Sequence, residues 1–445
     1  MYRKGLLVTG NFRAKALAAA KTEFGRNATW FTLLSAAERL LAVIQTVVVA
    51  RVLGITEYGV FGFLFGTIGF IGSVVGLQMG LTATVYISRY KAAEKKRAAA
   101  VIAIVKWYGL MAALVSLIVA VPLSHQLSLL LFGSAQYQSA VMIGALLMGA
   151  SIVSGVQDGV AQGFEMFRSL AKLKVAASLV TLLAIYPMAI GFGLDGVLVV
   201  ITLGLALKFT ILERSIARAR FAADIPADGA GESLWHLVTT FAFPSMAASL
   251  AVGFVMWWGS YLLSTMPSGF DELAFVNTGL QWRGPILLLA ATLGSVAIPA
   301  FSKLAGRHDH AGAATLRRSL LLVNLAIAVV SAVPIVAGAG LILRLYGTGF
   351  EVGREVFAVI VISSVPAVIG NVYMQELVGA GRLWRQLWLH TPFLVVTMIS
   401  FFVLVPRYQA TGYAYSLLAG SLVFISHILL ATSWDAHRLG RPAGR

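Results

Sequence analysis

The stretch GVFGFLFGTIGFIGSVVGLQMG, Gly59 to Gly80, runs 22 positions without a charged residue. At about 1.5 Å per residue a helix of that length crosses a hydrocarbon layer of about 30 Å. Its glycines recur four apart, at Gly62 and Gly66 and again at Gly72, Gly76 and Gly80. That spacing puts them on one helix face, where a neighbouring helix can approach closely. Working outward, similar apolar runs recur along the whole chain, about twelve in all, centred near Arg39, Phe70, Met111, Ala150, Leu182, Leu203, Gly253, Leu287, Ala328, Val365, Val396 and Leu422. The chain is 59% hydrophobic and 12% charged, against about 25% charged for an ordinary soluble protein. The expected fold is an all-α polytopic membrane protein of about twelve spans.

The net charge of +16 is distributed by topology. With the N-terminus cytoplasmic, 26 of the 34 lysines and arginines fall on the cytoplasmic arm, loops and tail, and only Arg51, Arg344, Arg354 and Arg407 on the opposite loops. This bias predicts N-in and C-in by the positive-inside rule. It also removes nucleic acid as a partner, because the basic residues form no soluble patch. With no cysteine, disulfide and thiol chemistry are excluded. Residues 1–27 read as a basic arm on the inner leaflet, and 433–445 as a cytoplasmic tail.

The longest cytoplasmic loop, 213–239, reads as a linker at mid-chain, between an N-terminal lobe (28–212, spans one to six) and a C-terminal lobe (240–432, spans seven to twelve). The halves repeat. Val121-Pro122 and Phe132-Gly133 correspond to Val333-Pro334 and Tyr346-Gly347; GFEMFRSLAKL (163–173) corresponds to GAGRLWRQLWL (379–389); GLDGVLV (193–199) corresponds to QATGYAY (409–415). Six spans per half give both lobes the same orientation, with a site expected between them near the midplane.

Soluble-enzyme motifs are absent: there is no GxxxxGK[ST], HExxH or GxSxG, so neither a catalytic set nor a metal site is expected. The loop histidines His308 and His310 do not make one. What remains is charge inside the membrane, which costs at least about 2.5–3.5 kcal/mol per residue. Arg39 lies mid-span one beside Glu38. Arg283 lies some 16 Å into span eight by helical rise and precedes Gly284-Pro285, which invites a kink. Lys106 and Lys208 lie nearer the cytoplasmic end and are expected to snorkel. Asp158 and Glu376, roughly equivalent in the repeat, can pair a base within a lobe, gate the inner mouth or carry a proton. The plain alternative for the arginines is an ion pair such as Glu38 with Arg283. Trp258, Tyr261 and Trp282 read either as an interfacial belt or as platforms for sugar rings.

ARVLGITEYGVFGFLFGTIGFIGSVVGLQMGLTATVYISRY (Ala50–Tyr90), with Leu53-Gly54, the Glu57-Tyr58-Gly59 turn and the glycine ladder, resembles the polysaccharide transporter family, the lipid-linked oligosaccharide flippases of the multidrug/oligosaccharidyl-lipid/polysaccharide exporter superfamily. QGFEMFRSLAKLKVAASL (162–179) and GAGRLWRQLWL resemble that family's fourth and tenth loops. The resemblance covers roughly residues 28–430. It implies a two-lobe alternating-access carrier in a bacterial inner membrane, with undecaprenyl diphosphate oligosaccharide as cargo and membrane lipids around it. A polysaccharide polymerase and a chain-length regulator are candidate partners. No cofactor is expected; a proton or sodium gradient acting through Glu38, Asp158 or Glu376 is a candidate driving force. On this reading Arg39 and Arg283 neutralise the diphosphate through their forked donors, with Trp282, Trp258 and Tyr261 on the glycan. Two other classes stay open: a cation-coupled exporter of drugs or small metabolites, and a membrane glycosyltransferase or polymerase, although the latter needs a large outer loop that this chain lacks.

Overall fold

A computed structural model describes residues 23–307, 309–380 and 383–439; most of the expected basic arm, His308 and the last six residues of the tail lie outside them. Among the described residues the structure is helical without strands. In order come α1 (Glu23–Val75), α2 (Met79–Tyr90), α3 (Lys95–Ala120), α4 (Ser124–Phe132), α5 (Gln138–Gly163) and α6 (Phe167–Ala222). They are followed by α7 (Leu234–Leu237), α8 (Phe243–Ser264), α9 (Gly269–Gly306), α10 (His310–Ala337), α11 (Ala339–Tyr346), α12 (Arg354–Ile362), α13 (Ser364–Gly379) and α14 (Leu383–Leu439). Helices suit this sequence because in lipid each backbone donor and acceptor must be satisfied within the chain.

Three of these helices are each two spans joined at a single non-helical residue: α1 at Gly54 (φ 80°, ψ 180°), α6 at Gly193 (φ 57°, ψ −136°) and α14 at Gln409 (φ 49°, ψ −126°). Counting each pair as two, α1 running on into α2 across a break at Leu77 and Gln78, and α12 with α13 as one span, the described residues supply twelve spans. The first half then comprises α1 to α6 and the second α8 to α14.

The duplication is visible in backbone detail. Gly193 and Gln409 are equivalent, and three residues beyond each a glycine is pressed against a carbonyl of the preceding span: Gly196 against Met188 and Gly412 against Leu404. The short helices α4 and α11 are likewise equivalent, and each ends on a positive-φ glycine, Gly133 and Gly347. At the second turn a glutamine adopts a conformation suited to glycine. Its side chain donates to the Pro267 carbonyl at 3.3 Å, and the next amide, Ala410, donates to the Glu272 carboxylate at 3.1 Å.

The mid-chain linker is docked against the first half. Its first ten residues continue α6. Further on, Ala230 N–H donates to the Lys96 carbonyl at 3.2 Å, and Gly229 lies against the backbone of Ala99 and Ala100. The Glu232 side chain, only 1% exposed, accepts from the Tyr90 hydroxyl at 3.3 Å and contacts Arg97 at 3.8 Å and His236 at 2.9 Å. Leu237 and Ala242 complete a hydrophobic cluster with α2, α3 and α5.

The halves meet closely towards the outer end. Gly59 lies against the Phe270 carbonyl and Gly62 against the Asn277 amide, so that a methyl group at either would overlap them. Thr56 donates to Asp271 at 2.5 Å, and the Tyr58 ring packs edge-on against Tyr346 (6.1 Å) and Phe350 (5.8 Å). At mid-depth the Trp257 indole N–H donates to Thr67 at 3.0 Å and its ring stacks on Phe70 at 5.4 Å. Lower down, the Tyr86 and Thr240 hydroxyls meet at 3.0 Å. The glycine ladder therefore divides its work: Gly62 faces the other half, whereas Gly80 packs on Gly155 and Gly159 of α5.

Candidate functional site

Beneath the outer contact lies a cavity of about 510 Å³. Its wall is built mainly from the first half: both spans of α1, with Glu38, Arg39, Gln45, Tyr58 and Phe65, and both spans of α6, with Lys174, Ser178, Thr181 and Lys208. α9 contributes Asn277, Leu280 and Gln281 from the second half. The cavity runs from Tyr58, under the outer closure, to Lys174 near the basic end. Among the described residues three cations and one acid face it directly, and a second acid, Asp158 of α5, stands behind two of the cations. One Asp158 oxygen takes Lys208 at 2.8 Å and the other takes Lys174 at 3.1 Å.

The Lys208 side chain is 7% exposed, Asp158 15% and Lys174 24%. Lys208 therefore does not snorkel as expected. Its position on the inward face of α6, one step from Asp158, holds it inside the half. An ion pair withdrawn from water gains little net stability but is costly to break, because the survivor is left buried and uncompensated. Lys106, by contrast, reaches the cytoplasmic end of span six. It pairs with Glu213, which also accepts from Gln157 at 2.8 Å.

Of the residues expected to form the site, Arg39 and Glu38 line the cavity and Asp158 supports it. Arg283 is not among the lining residues. It lies two positions beyond Gln281, roughly 200° around α9, and turns into the second half, with the buried Tyr413 as its electrostatic neighbour. Its Nε is buried without a hydrogen-bond partner. The alternative pairing of Glu38 with Arg283 is not formed.

Trp282 is committed to packing: its N–H donates to the Tyr346 hydroxyl at 3.0 Å, and its ring meets Phe357 edge-on at 6.5 Å. Trp258 and Tyr261 lie in an aromatic cluster with Trp257 and Phe402, outside the cavity lining. Glu376, the counterpart of Asp158, accepts both bonds from one Arg317 nitrogen at 3.0 Å, and that guanidinium lies 5.4 Å from the centre of the Tyr373 ring. Each half thus neutralises its inner carboxylate with its own base.

Sequence reasoning missed Lys174, which was counted as a loop charge, and misplaced Lys208. The signal was present in Asp158: an intramembrane acid requires a base, and Lys208 is one of four bases within or near the ends of the spans.

Comparison with known proteins agrees with this architecture. The family described as polysaccharide biosynthesis protein matches residues 24–305, more than half of the chain. The EPS I polysaccharide export inner membrane protein EpsE of Ralstonia solanacearum is 23% identical over 428 residues, covering 91% of this chain and 93% of that protein. Among solved structures, the lipid II flippase MurJ in an inward closed conformation superposes with a TM-score of 0.73 at 13% identity, covering 91% of this chain and 87% of that one. An inward-facing multidrug resistance MATE transporter of the MOP superfamily gives 0.72 at 15% identity, covering 90% and 94%. A MOP superfamily transporter from Pyrococcus furiosus, described as having a binding pocket of reverse polarity, gives 0.67 at 16% identity, covering 93% and 95%. The chain is a multi-pass inner-membrane protein with the MOP fold, and it belongs to the polysaccharide biosynthesis protein family.

Proposed function

We propose that this protein is a flippase that carries undecaprenyl-diphosphate-linked oligosaccharide from the inner to the outer leaflet by alternating access. The observation that carries this reading is the cavity, with Arg39, Lys174 and Lys208 on its wall against Glu38 and Asp158. An excess of cations in a low-dielectric cleft favours a phosphate-rich anion. The named activities of EpsE and MurJ point the same way. A volume of about 510 Å³ is in the range of pockets for drug-sized ligands. It suits the diphosphate and the first sugar or two, with the lipid tail left in the bilayer. Gln45, Asn277 and Gln281 supply hydrogen bonds to sugar hydroxyls.

On this reading, closure at the outer end belongs to the state in which cargo loads from inside. Parting the Gly59–Phe270 contact would release cargo outward, where a polymerase and chain-length regulator could take it. Glu38, within the cavity, is the residue through which an ion gradient would act. A cation-coupled exporter of drugs or small metabolites is the rival reading; it needs acids rather than cations in the cavity, and the excess of cations on the wall opposes it.

The test is transbilayer movement of a fluorescent polyprenyl diphosphate oligosaccharide in proteoliposomes. Arg39→Ala and Lys174→Ala should abolish it with folding intact, and Arg283→Ala should reduce it far less. Wild-type rates in both cavity variants would sink the cationic-cavity mechanism.

A further inference from the structure

The Lys174–Asp158–Lys208 bridge bears on which anions can enter. Resting on the diphosphate reading above, we propose that Asp158 is the cavity's resident counter-ion and sets a charge threshold. A ligand must bring more than one negative charge on neighbouring oxygens to displace it, so phosphodiester headgroups are turned away and diphosphates admitted.

The geometry makes the exchange unequal. Each carboxylate oxygen holds one lysine, and both lysines also line the cavity, so an entering anion meets ammonium groups that already have a partner. A singly charged phosphodiester that took Lys174 would replace one unit charge with another. It would gain little, because the attraction it makes is offset by the attraction that Asp158 loses. A diphosphate brings a second charge and several more acceptors. It can take Lys174, the more exposed lysine, together with Arg39 on the same wall. Asp158 then stays on Lys208, the deeper partner, and is never left buried without a counter-ion.

The need for such a filter follows from the surroundings. The cytoplasmic leaflet is rich in anionic lipids, all of them candidates for an unoccupied cationic cleft. Specificity against them requires an element that repels or pre-empts, because attraction alone admits every anion. Asp158 is accordingly a specificity-determining residue, and its removal should strengthen the binding of the wrong ligand. A purely structural role predicts no such gain.

The test uses the full chain in nanodiscs of uncharged phosphatidylcholine and two soluble probes, farnesyl diphosphate and dihexanoyl phosphatidylglycerol. Wild type should prefer the diphosphate by about 100-fold, and Asp158→Asn should narrow this to about tenfold or less through tighter binding of the phosphatidylglycerol. Lys174→Gln, which leaves the Asp158–Lys208 pair in place, should lose about tenfold in diphosphate affinity with the other probe unchanged; it carries the test if the asparagine variant does not fold. A ratio that ignores residue 158, or a Lys174→Gln variant that weakens both probes equally, would overturn the threshold alone. A wild type that binds neither probe would overturn the diphosphate reading itself.

Discussion

Replacing Gly59 with alanine should drive the protein out of the outward-closed state without damaging either half. The added Cβ would overlap the Phe270 carbonyl, and since non-bonded heavy atoms settle at roughly 3.5–4.0 Å, α1 and α9 must part by more than about 1 Å there. The contact lies one turn from Thr56–Asp271 and beside the Tyr58 ring, so both are lost with it. A hydrogen bond to a carboxylate contributes about 1.5–3 kcal/mol, and each edge-on aromatic contact about 0.5–1.5 kcal/mol. Taking low values, closure loses about 2.5 kcal/mol, a shift of about 60-fold in the closed-to-open ratio.

The chain has no cysteine, so a single Ala42→Cys on the cavity wall reports access without background. A membrane-impermeant maleimide added outside should label it slowly in the parent and far faster with Gly59→Ala. Gly66→Ala, where a methyl group meets nothing within 4 Å, should leave the rate alone. Equal labelling of all three would refute the claim that the Gly59 contact holds the outer end shut.

Lys208→Met should lower thermal stability by about 2–4 kcal/mol, because Asp158 keeps only its more exposed partner; adding Asp158→Asn should recover much of that in a detergent melting experiment, and a double variant as unstable as the single would count against the pairing. Gly193→Ala and Gln409→Gly should shift the melting temperature in opposite directions: the first by about 1–3 kcal/mol of new backbone strain, the second towards modest stabilisation, reduced by losing the bond to Pro267. Trp257→Phe keeps the stack on Phe70 but removes the indole bond to Thr67, about 1 kcal/mol; it should speed labelling of Ala42→Cys about fivefold while leaving the melting temperature nearly unchanged.

Much of the fold is legible in the chain. The apolar runs have the length of the bilayer, the basic residues choose a side, and the Val-Pro and aromatic-Gly pairs mark equivalent turns. Burial by depth is legible too, since linear distance from the nearest loop charge measures it; this is why Arg39 and Arg283 stood out. Direction around a helix is not. Arg283 and Gln281 are two residues apart, yet one turns into its own half and the other lines the cavity. Lys208 had the depth of a snorkelling residue and the azimuth of a buried one, and only the packing of α5 against α6 separates the two. Gln409 hides a turn that Gly193 announces, because its strain is met by bonds to Pro267 and Glu272, far off in sequence.

The docking of residues 225–242 has a consequence for how the molecule is made. Apart from neighbours within the segment itself, such as His236, Glu232, Leu237 and Ala242 take their described partners from residues earlier in the chain. The first half's inner cluster is therefore complete only when synthesis has passed Ala242, well beyond the end of span six. Domains generally mature as units in order of synthesis. A half-molecule cut at 212 would leave the α2–α3 cluster uncovered, whereas one cut just after Ala242 would carry its own lid.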